Sequence, residues 1–167
     1  RGIYSKAAGG ASAEEPLLED ASDDAVEDWS PDGKLLLFNV GSREVHAMNV
    51  SGDRKPYPVL KSAFPQDHAR LSPDGRWIAY VSQESGRREI FVQSFPPSGG
   101  KWQISNNGGT EPSWRRDGKE LYYIEGSDFK AVDVKVAGSS FEAGIPKSLF
   151  QVQLDNTNRR SRYVAAG

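Results

Sequence analysis

A turn sequence that recurs at a nearly constant interval constrains this chain more than any other feature. The decapeptide WSPDGKLLLF at 29–38 aligns with LSPDGRWIAY at 71–80 and with WRRDGKELYY at 114–123. The glycines of these three copies are separated by 42 and then 43 residues. An interval of about 40–45 residues is typical of β-propellers, in which each repeat forms one four-stranded blade. The chain is therefore predicted to be all-β, with about four propeller blades.

Each copy of the repeat contains the residues that a tight turn between two strands requires. Proline presets φ, aspartate accepts hydrogen bonds from nearby backbone N–H groups, and glycine adopts positive φ without steric cost. The third copy has Arg-Arg in place of Ser-Pro but keeps Asp and Gly, so its turn is expected to survive. The predicted structural turn residues are Asp32, Gly33, Asp74, Gly75, Asp117 and Gly118.

An apolar run follows each turn, as expected for strands that are buried on both faces between neighbouring blades. These second strands are predicted near 34–40, 76–82 and 119–124. Inner strands are predicted near 26–29, 68–71 and 111–114, third strands near 43–50, 88–95 and 129–134, and outer strands near 57–60 and 101–104. The repeat divides the chain into a partial blade at 1–24, blades at 25–66, 67–110 and 111–155, and a closing or next strand at 156–167.

Composition excludes several classes of function. A formal charge of −2 provides no basic excess for nucleic acid. The absence of cysteine excludes disulfides, zinc-thiolate sites and thiol nucleophiles. No apolar run approaches the ~20 residues of a membrane span, so this segment is not expected to insert into a membrane. Because the sequence begins Arg-Gly-Ile-Tyr, without a methionine, we expect the chain to be a piece of a longer polypeptide.

These repeats resemble the TolB-like family of β-propeller repeats, whose blades carry a Trp-Ser-Pro-Asp-Gly-Lys consensus. The resemblance is most specific at 29–34 and 71–76. It implies a complete ring of at least about six blades, a periplasmic or extracellular location in bacteria, and a role as a protein-binding platform. Because an incomplete ring leaves strand edges open, the expected partner is another protein or a second copy that associates through the blade edges.

The resemblance also leaves two other functions open. Similar propellers precede the hydrolase domain of prolyl-oligopeptidase-like peptidases and follow the kinase domain of some bacterial receptors, so the chain could be the accessory or sensing propeller of such an enzyme. Binding of a sugar or another small ligand in the central channel is a further alternative. The sequence contains no Gly-x-Ser-x-Gly nucleophile elbow. This chain itself is therefore predicted to be non-catalytic.

Inner strands line the channel of a propeller, so the residues seven positions before each turn glycine are the candidates for binding. These possible channel-lining residues are Val26, His68 and Glu111. No catalytic residue, cofactor or metal is predicted for this chain. For zinc in particular, two histidines without cysteine cannot build a usual site.

Two further groups of residues are predicted to be structural. The acidic stretch at 14–28 lacks the spacing of a calcium loop and is interpreted as a solvated loop. Trp29 and Trp114 are predicted to fill the space between blades, whereas Trp102 is expected at an exposed edge.

Overall fold

The computed structural model describes residues 2–7, 9, 13–19, 25–41 and 43–153, and all their regular elements are strands. A two-stranded partial blade contains β1 (Gly2–Ser5) and β2 (Glu15–Glu19). The first blade contains β3 (Ala25–Trp29), β4 (Leu35–Val40), β5 (Glu44–Asn49) and β6 (Tyr57–Lys61). The second blade contains β7 (Gln66–Leu71), β8 (Trp77–Ser82), β9 (Glu89–Ser94) and β10 (Lys101–Gln103). The third blade contains β11 (Thr110–Trp114), β12 (Glu120–Glu125), β13 (Asp128–Ala137), β14 (Ser140–Ala143) and β15 (Lys147–Gln151).

Strands that follow one another in the first two blades are also neighbours in the sheet, and every pairing is antiparallel. This up-and-down order is that of a propeller blade. The predicted all-β class and the four-stranded antiparallel blades are thereby confirmed.

The third blade departs from this plan by one hairpin. β13 is long enough to pair twice: its first half pairs with β15, and its second half pairs with β14. β15 is therefore the outer strand of the blade, and β14 is an addition that has no counterpart in the first two blades. The sequence repeat did not predict this hairpin.

Residues of β8 point alternately into two apolar interfaces between neighbouring blades, which we call seams. Trp77, Ala79 and Val81 pack in a cluster with side chains of the third blade. Ile78 and Tyr80 point the other way and pack with side chains of the first blade. All six residues of β8 are buried, which explains why this strand reads as a continuous apolar run.

The partial blade covers the remaining face of the first blade. Ile3 of β1 and Leu17 of β2 pack against Leu36, Phe38 and Met48. The order of packing is therefore the partial blade, then the first, second and third blades, each buried against the next.

The turns between first and second strands have the same geometry in all three blades. Gly33, Gly75 and Gly118 have φ values of 72°, 69° and 71°. Each of these glycines donates its N–H to the carbonyl oxygen three residues earlier, at 2.8 to 2.9 Å. Each turn aspartate accepts a hydrogen bond from the backbone N–H two residues later, at 3.0 to 3.1 Å; these aspartates are Asp32, Asp74 and Asp117.

In the first two turns a serine hydroxyl also binds the aspartate. Ser30 donates to Asp32 at 2.6 Å, and Ser72 donates to Asp74 at 2.5 Å. In the third turn Arg115 replaces the serine, and its Nε lies 3.6 Å from Asp117. An ion pair thus takes the place of a hydroxyl hydrogen bond.

Replacing Gly75 tests the turn through its backbone alone. A Cβ at Gly75 would meet no atom within 4 Å, so the positive φ is the only obstacle to a side chain. We expect Gly75→Val to lower the free energy of unfolding by about 1 kcal/mol or more. Gly75→Asn is the matched control and should cost less, since asparagine tolerates this region. Equal urea-unfolding midpoints for Gly75→Val and the unsubstituted protein would contradict the assigned turn.

Candidate channel site

The inner strands β7 and β11 carry irregular backbone at the predicted channel positions. His68 and Glu111 both have positive φ, 55° and 56°. Each lies where the pairing of its strand with the second strand of the blade shifts register. Positive φ is uncommon for residues other than glycine, and such strain concentrates at functional positions. The two residues therefore share a conformation as well as a repeat position.

This conformation brings the two side chains together across the seam between the second and third blades. His68 Nε2 lies 3.1 Å from Glu111 Oε1, and His68 Nδ1 lies 2.8 Å from Asp67 Oδ1. Arg88 donates from both terminal nitrogens to the carboxylate of Asp67, at 2.9 and 2.6 Å. We name Asp67, His68, Arg88 and Glu111 the channel cluster.

A second set of polar contacts crosses the seam between the first and second blades. Arg70 donates from Nη1 to the backbone carbonyl of Glu27, and the carboxylate of Glu27 lies 3.8 Å from the same nitrogen. Asp28 Oδ2 accepts a hydrogen bond from the backbone N–H of Leu71 at 2.7 Å. Charged residues of the inner strands therefore connect the blades.

The channel cluster determines the charge of His68. Burial opposes the charged imidazole, but hydrogen bonds to Asp67 and Glu111 outweigh it and raise the pKa of His68 to about 9. Burial also opposes the charge of Asp67, yet the bonds from His68 and Arg88 hold its pKa below the ordinary value. At neutral pH His68 is consequently a cation whose two N–H groups both donate to carboxylates.

At Glu27 the effect of burial on the pKa exceeds the combined effect of the neighbouring charges and hydrogen bonds, whereas at Asp67 it does not. Desolvation raises the pKa of the Glu27 carboxyl group, although the nearby charges of His68 and Arg70 act to lower it. Desolvation likewise raises the pKa of Asp28, against the hydrogen bond from Leu71. The two seams therefore hold carboxylates in different electrostatic environments.

This arrangement suits recognition through charge and hydrogen bonds better than acid–base chemistry. A general base must be unprotonated at the working pH, whereas His68 is protonated with both nitrogens engaged. Among the residues that the structure describes, no group of three histidine or carboxylate side chains could hold a metal ion.

Val26 differs from the other two predicted channel residues. It lies on β3 of the first blade, is 55% exposed and is not among the residues with positive φ. Sequence reasoning missed Asp67 and Arg88, which complete the cluster around His68. Asp67 could have been found as the acidic neighbour of His68, but Arg88 lies 20 residues further along the chain than His68, beside β9, and only the fold brings it there.

Three interpretations of other residues need correction. The acidic stretch is not a solvated loop throughout. Glu15 and Glu19 are the first and last residues of the strand β2, and Glu27 and Asp28 lie half-buried on β3. Its members Asp20, Asp23 and Asp24 lie outside the described residues.

The tryptophans correct two expectations about packing. Trp114 is buried in the seam, as predicted, but Trp29 is 42% exposed and does not fill a space between blades. Trp102 is not an exposed edge residue. Its ring packs 5.6 Å from that of Trp77 and 5.3 Å from that of Phe141.

Parts of this chain are similar in sequence to curated proteins. The chain is 46% identical over 52 residues to the Tol-Pal system protein TolB of Pseudomonas aeruginosa, covering 31% of this chain and 12% of that protein. It is 37% identical over 62 residues to the Tol-Pal system protein TolB of Hydrogenovibrio crunogenus, covering 36% of this chain and 14% of that protein. The repeats are TolB-like. No protein-family model matches the chain.

Solved structures support the same TolB-like fold. TolB from Acinetobacter baumannii superposes with a TM-score of 0.63 at 22% identity, covering 86% of this chain and 36% of that one. A puromycin-hydrolyzing peptidase from Mycobacterium tuberculosis superposes with a TM-score of 0.60 at 18% identity, covering 86% of this chain and 26% of that one. At these identities the likeness concerns the fold alone. The described part of the chain has no helix that could span a membrane.

The raised pKa of His68 predicts a pH-dependent contribution to stability. The folded value of about 9 exceeds the ordinary 6.5, so the contribution is fully present below pH 6.5 and is lost as the pH rises through 9. His68→Gln should therefore destabilise the protein most at pH 6.5 and progressively less toward pH 9. Urea unfolding across this range measures the difference.

Glu111→Gln provides the control for this titration. It removes one carboxylate partner of His68, so the pH dependence should shift to lower pH. A difference between the unsubstituted protein and His68→Gln that stays constant from pH 6.5 to 9 would contradict the assigned charge.

Proposed function

We propose that the chain is a non-catalytic propeller module that mediates protein–protein contacts or assembly in an exported bacterial protein, in the periplasm or outside the cell. The observation that carries this proposal is the channel cluster. Its side chains are paired with one another through hydrogen bonds and ion pairs, so they offer a patterned charged surface rather than a reactive group.

A surface of this kind suits recognition of another protein. Fixed charges of alternating sign favour a complementary partner and disfavour others. Arg88 and Asp67 keep part of their side chains exposed, 37% and 28%, and Val26 adds an exposed apolar position on the neighbouring blade. The sequence similarity to TolB, a Tol-Pal system protein, supports a role of this class.

A second candidate function follows from the structural neighbours. Because the propeller superposes on part of a peptidase, the chain also fits the accessory propeller of a multidomain enzyme, a prolyl-oligopeptidase-like peptidase or a kinase. Binding of a sugar or another small ligand in the central channel stays a prediction.

Site-specific photocrosslinking separates these functions. A benzoylphenylalanine at Val26 in the intact protein, expressed in its own host, should give a discrete crosslink to another protein. Tyr57 is the matched control, being 41% exposed on the outer strand of the same blade. Arg88→Gln should lower the yield at Val26 several-fold because it breaks the pairing with Asp67.

The identity of the crosslinked product decides between the alternatives. A crosslink to a catalytic domain of the same polypeptide would favour the accessory propeller. Crosslinks of equal yield from Val26 and Tyr57, unaffected by Arg88→Gln, would count against a channel-side interaction.

The open face of the third blade supports association through a blade edge. Tyr122 occupies the repeat position that Ala79 fills on the second blade, where the next blade covers it. Ile124, at the position of Val81, is itself buried. On the third blade the ring of Tyr122 stacks on that of Phe129 at 5.6 Å, and Phe129 stacks on Phe150 at 4.9 Å. Phe150 is 56% exposed, and no blade covers this face among the described residues.

This face predicts self-association of the isolated chain. Light scattering should show concentration-dependent association, because the exposed ring of Phe150 ends an aromatic stack on a sheet that no blade covers among the described residues. Phe150→Ser should weaken the association, whereas Phe64→Ser, at an exposed phenylalanine between β6 and β7, should not. A chain that stays monomeric at high concentration would refute the edge proposal and leave the channel proposal standing.

A further inference from the structure

The seam between the second and third blades contains an aromatic group that the repeat does not require. Two residues after the turn glycine the first blade has Leu35 and the third has Glu120, whereas the second has Trp77. The ring of Trp77 lies edge-on to that of Trp102 at 5.6 Å and 5.0 Å from that of Phe141. Phe141 belongs to the added hairpin of the third blade. The group therefore depends on residues particular to this seam.

A cleft of about 560 Å³ opens beside Trp77 and Trp102. The segment 95–100, which joins β9 to β10, forms one wall, and Arg76 and Ser139 contribute to the lining. Small-molecule sites commonly have volumes of about 300–1,000 Å³ and aromatic walls with a few polar groups. The cleft has the size and composition of such a site.

The backbone of the wall holds the Trp102 ring in place. A Cβ at Gly100 would overlap the indole of Trp102, so the chain passes directly against the ring. With Trp77 and Phe141 also in contact, the ring is fixed before any ligand arrives. A preformed aromatic surface lowers the entropic cost of binding.

Arg76 supplies a fixed positive charge at the cleft. Its Nη2 donates to the carbonyl oxygen of Gly138 at the tip of the β13–β14 hairpin, which holds the guanidinium across the seam. A guanidinium has five N–H donors, and Nε and Nη1 of Arg76 have no hydrogen-bond partner among the described residues. Of the described residues that line the cleft, Arg76 is the charged one.

We propose that this cleft binds an aromatic or apolar acid, with its apolar body against Trp102 and its carboxylate on Arg76. Arginine binds carboxylates through charge-assisted hydrogen bonds, and aromatic rings favour edge-to-face or offset contacts with tryptophan. A free small acid and the C-terminal residue of a peptide offer the same chemistry.

The seam between the first and second blades does not repeat this arrangement. At the repeat position of Trp77 the first blade has Leu35, so an aliphatic side chain takes the place of the aromatic ring there. The cleft of about 250 Å³ at that seam lies at the turns and is lined by Asp32 and Asp74. The aromatic surface thus belongs to the seam between the second and third blades.

Fluorine NMR of the intact protein labelled with 5-fluorotryptophan tests the proposal with phenylacetate as the probe. The four tryptophans of this chain report separately, and Trp→Phe variants assign their resonances. Phenylacetate should shift the Trp77 and Trp102 resonances in a saturable manner and leave Trp29 unchanged. Phenylacetamide has the same shape without the charge and should bind about tenfold more weakly or worse.

Two variants at equivalent turn positions isolate the role of Arg76. Arg76→Gln should weaken phenylacetate binding about tenfold. Lys34→Gln removes the same charge from the same position of the first turn and should leave binding unchanged. Arg76→Lys keeps the charge and should retain part of the affinity. Thermal melts of the three variants verify that each is folded.

The dipeptide acetyl-Ala-Phe distinguishes the two sources of the acid. Tighter binding of this dipeptide than of phenylacetate assigns the cleft to a peptide C-terminus, and tighter binding of phenylacetate assigns it to a small acid. The proposal is overturned if neither probe shifts the Trp77 and Trp102 resonances, if phenylacetamide binds as tightly as phenylacetate, or if Arg76→Gln and Lys34→Gln have equal effects.

Discussion

Burial of the second strand of each blade on both faces is the constraint on which the structure depends. The residues of β8 divide alternately between the two seams of the second blade, and none is left for solvent. A sheet with two apolar faces cannot be stable alone in water, because each face must be removed from solvent. A blade whose second strand is apolar on both faces therefore requires a neighbour on each side, as the second blade has.

The same constraint explains how much of the fold could be predicted. Second strands were predicted at 34–40 and 76–82 and are found at Leu35–Val40 and Trp77–Ser82, since double burial and the turn before them leave a strong sequence signal. β2, β14 and β15 were missed. β2 lies in an acidic stretch with exposed ends, and β14 is a short hairpin strand with one buried residue, Phe141. A strand with few buried side chains shows little hydrophobic periodicity, so its sequence does not identify it as a strand.

The candidate site was less predictable, for a related reason. The repeat identifies equivalent positions, so it identified His68 and Glu111, but it carries no information on side chains that meet from different parts of a blade. Arg88 reaches Asp67 from the segment that precedes β9, a contact set by the fold and not by the repeat. The turn of the third blade shows that the reverse also holds. Arg115 replaces the side-chain contacts of the serine in the other turns, while the backbone geometry of the turn glycine stays the same.

The two kinds of seam contact have different consequences for function. Apolar side chains fill the middle of each seam, whereas charged pairs close it at the inner strands, with Arg70 and Glu27 at one seam and His68 and Glu111 at the next. The charged pairs consequently connect the blades at their inner strands. Removing one charge leaves the opposite charge half-buried without its full compensation, which weakens the contact between the blades. Glutamine in place of His68 is such a change, because its single amide nitrogen cannot direct one N–H group to Asp67 and another to Glu111.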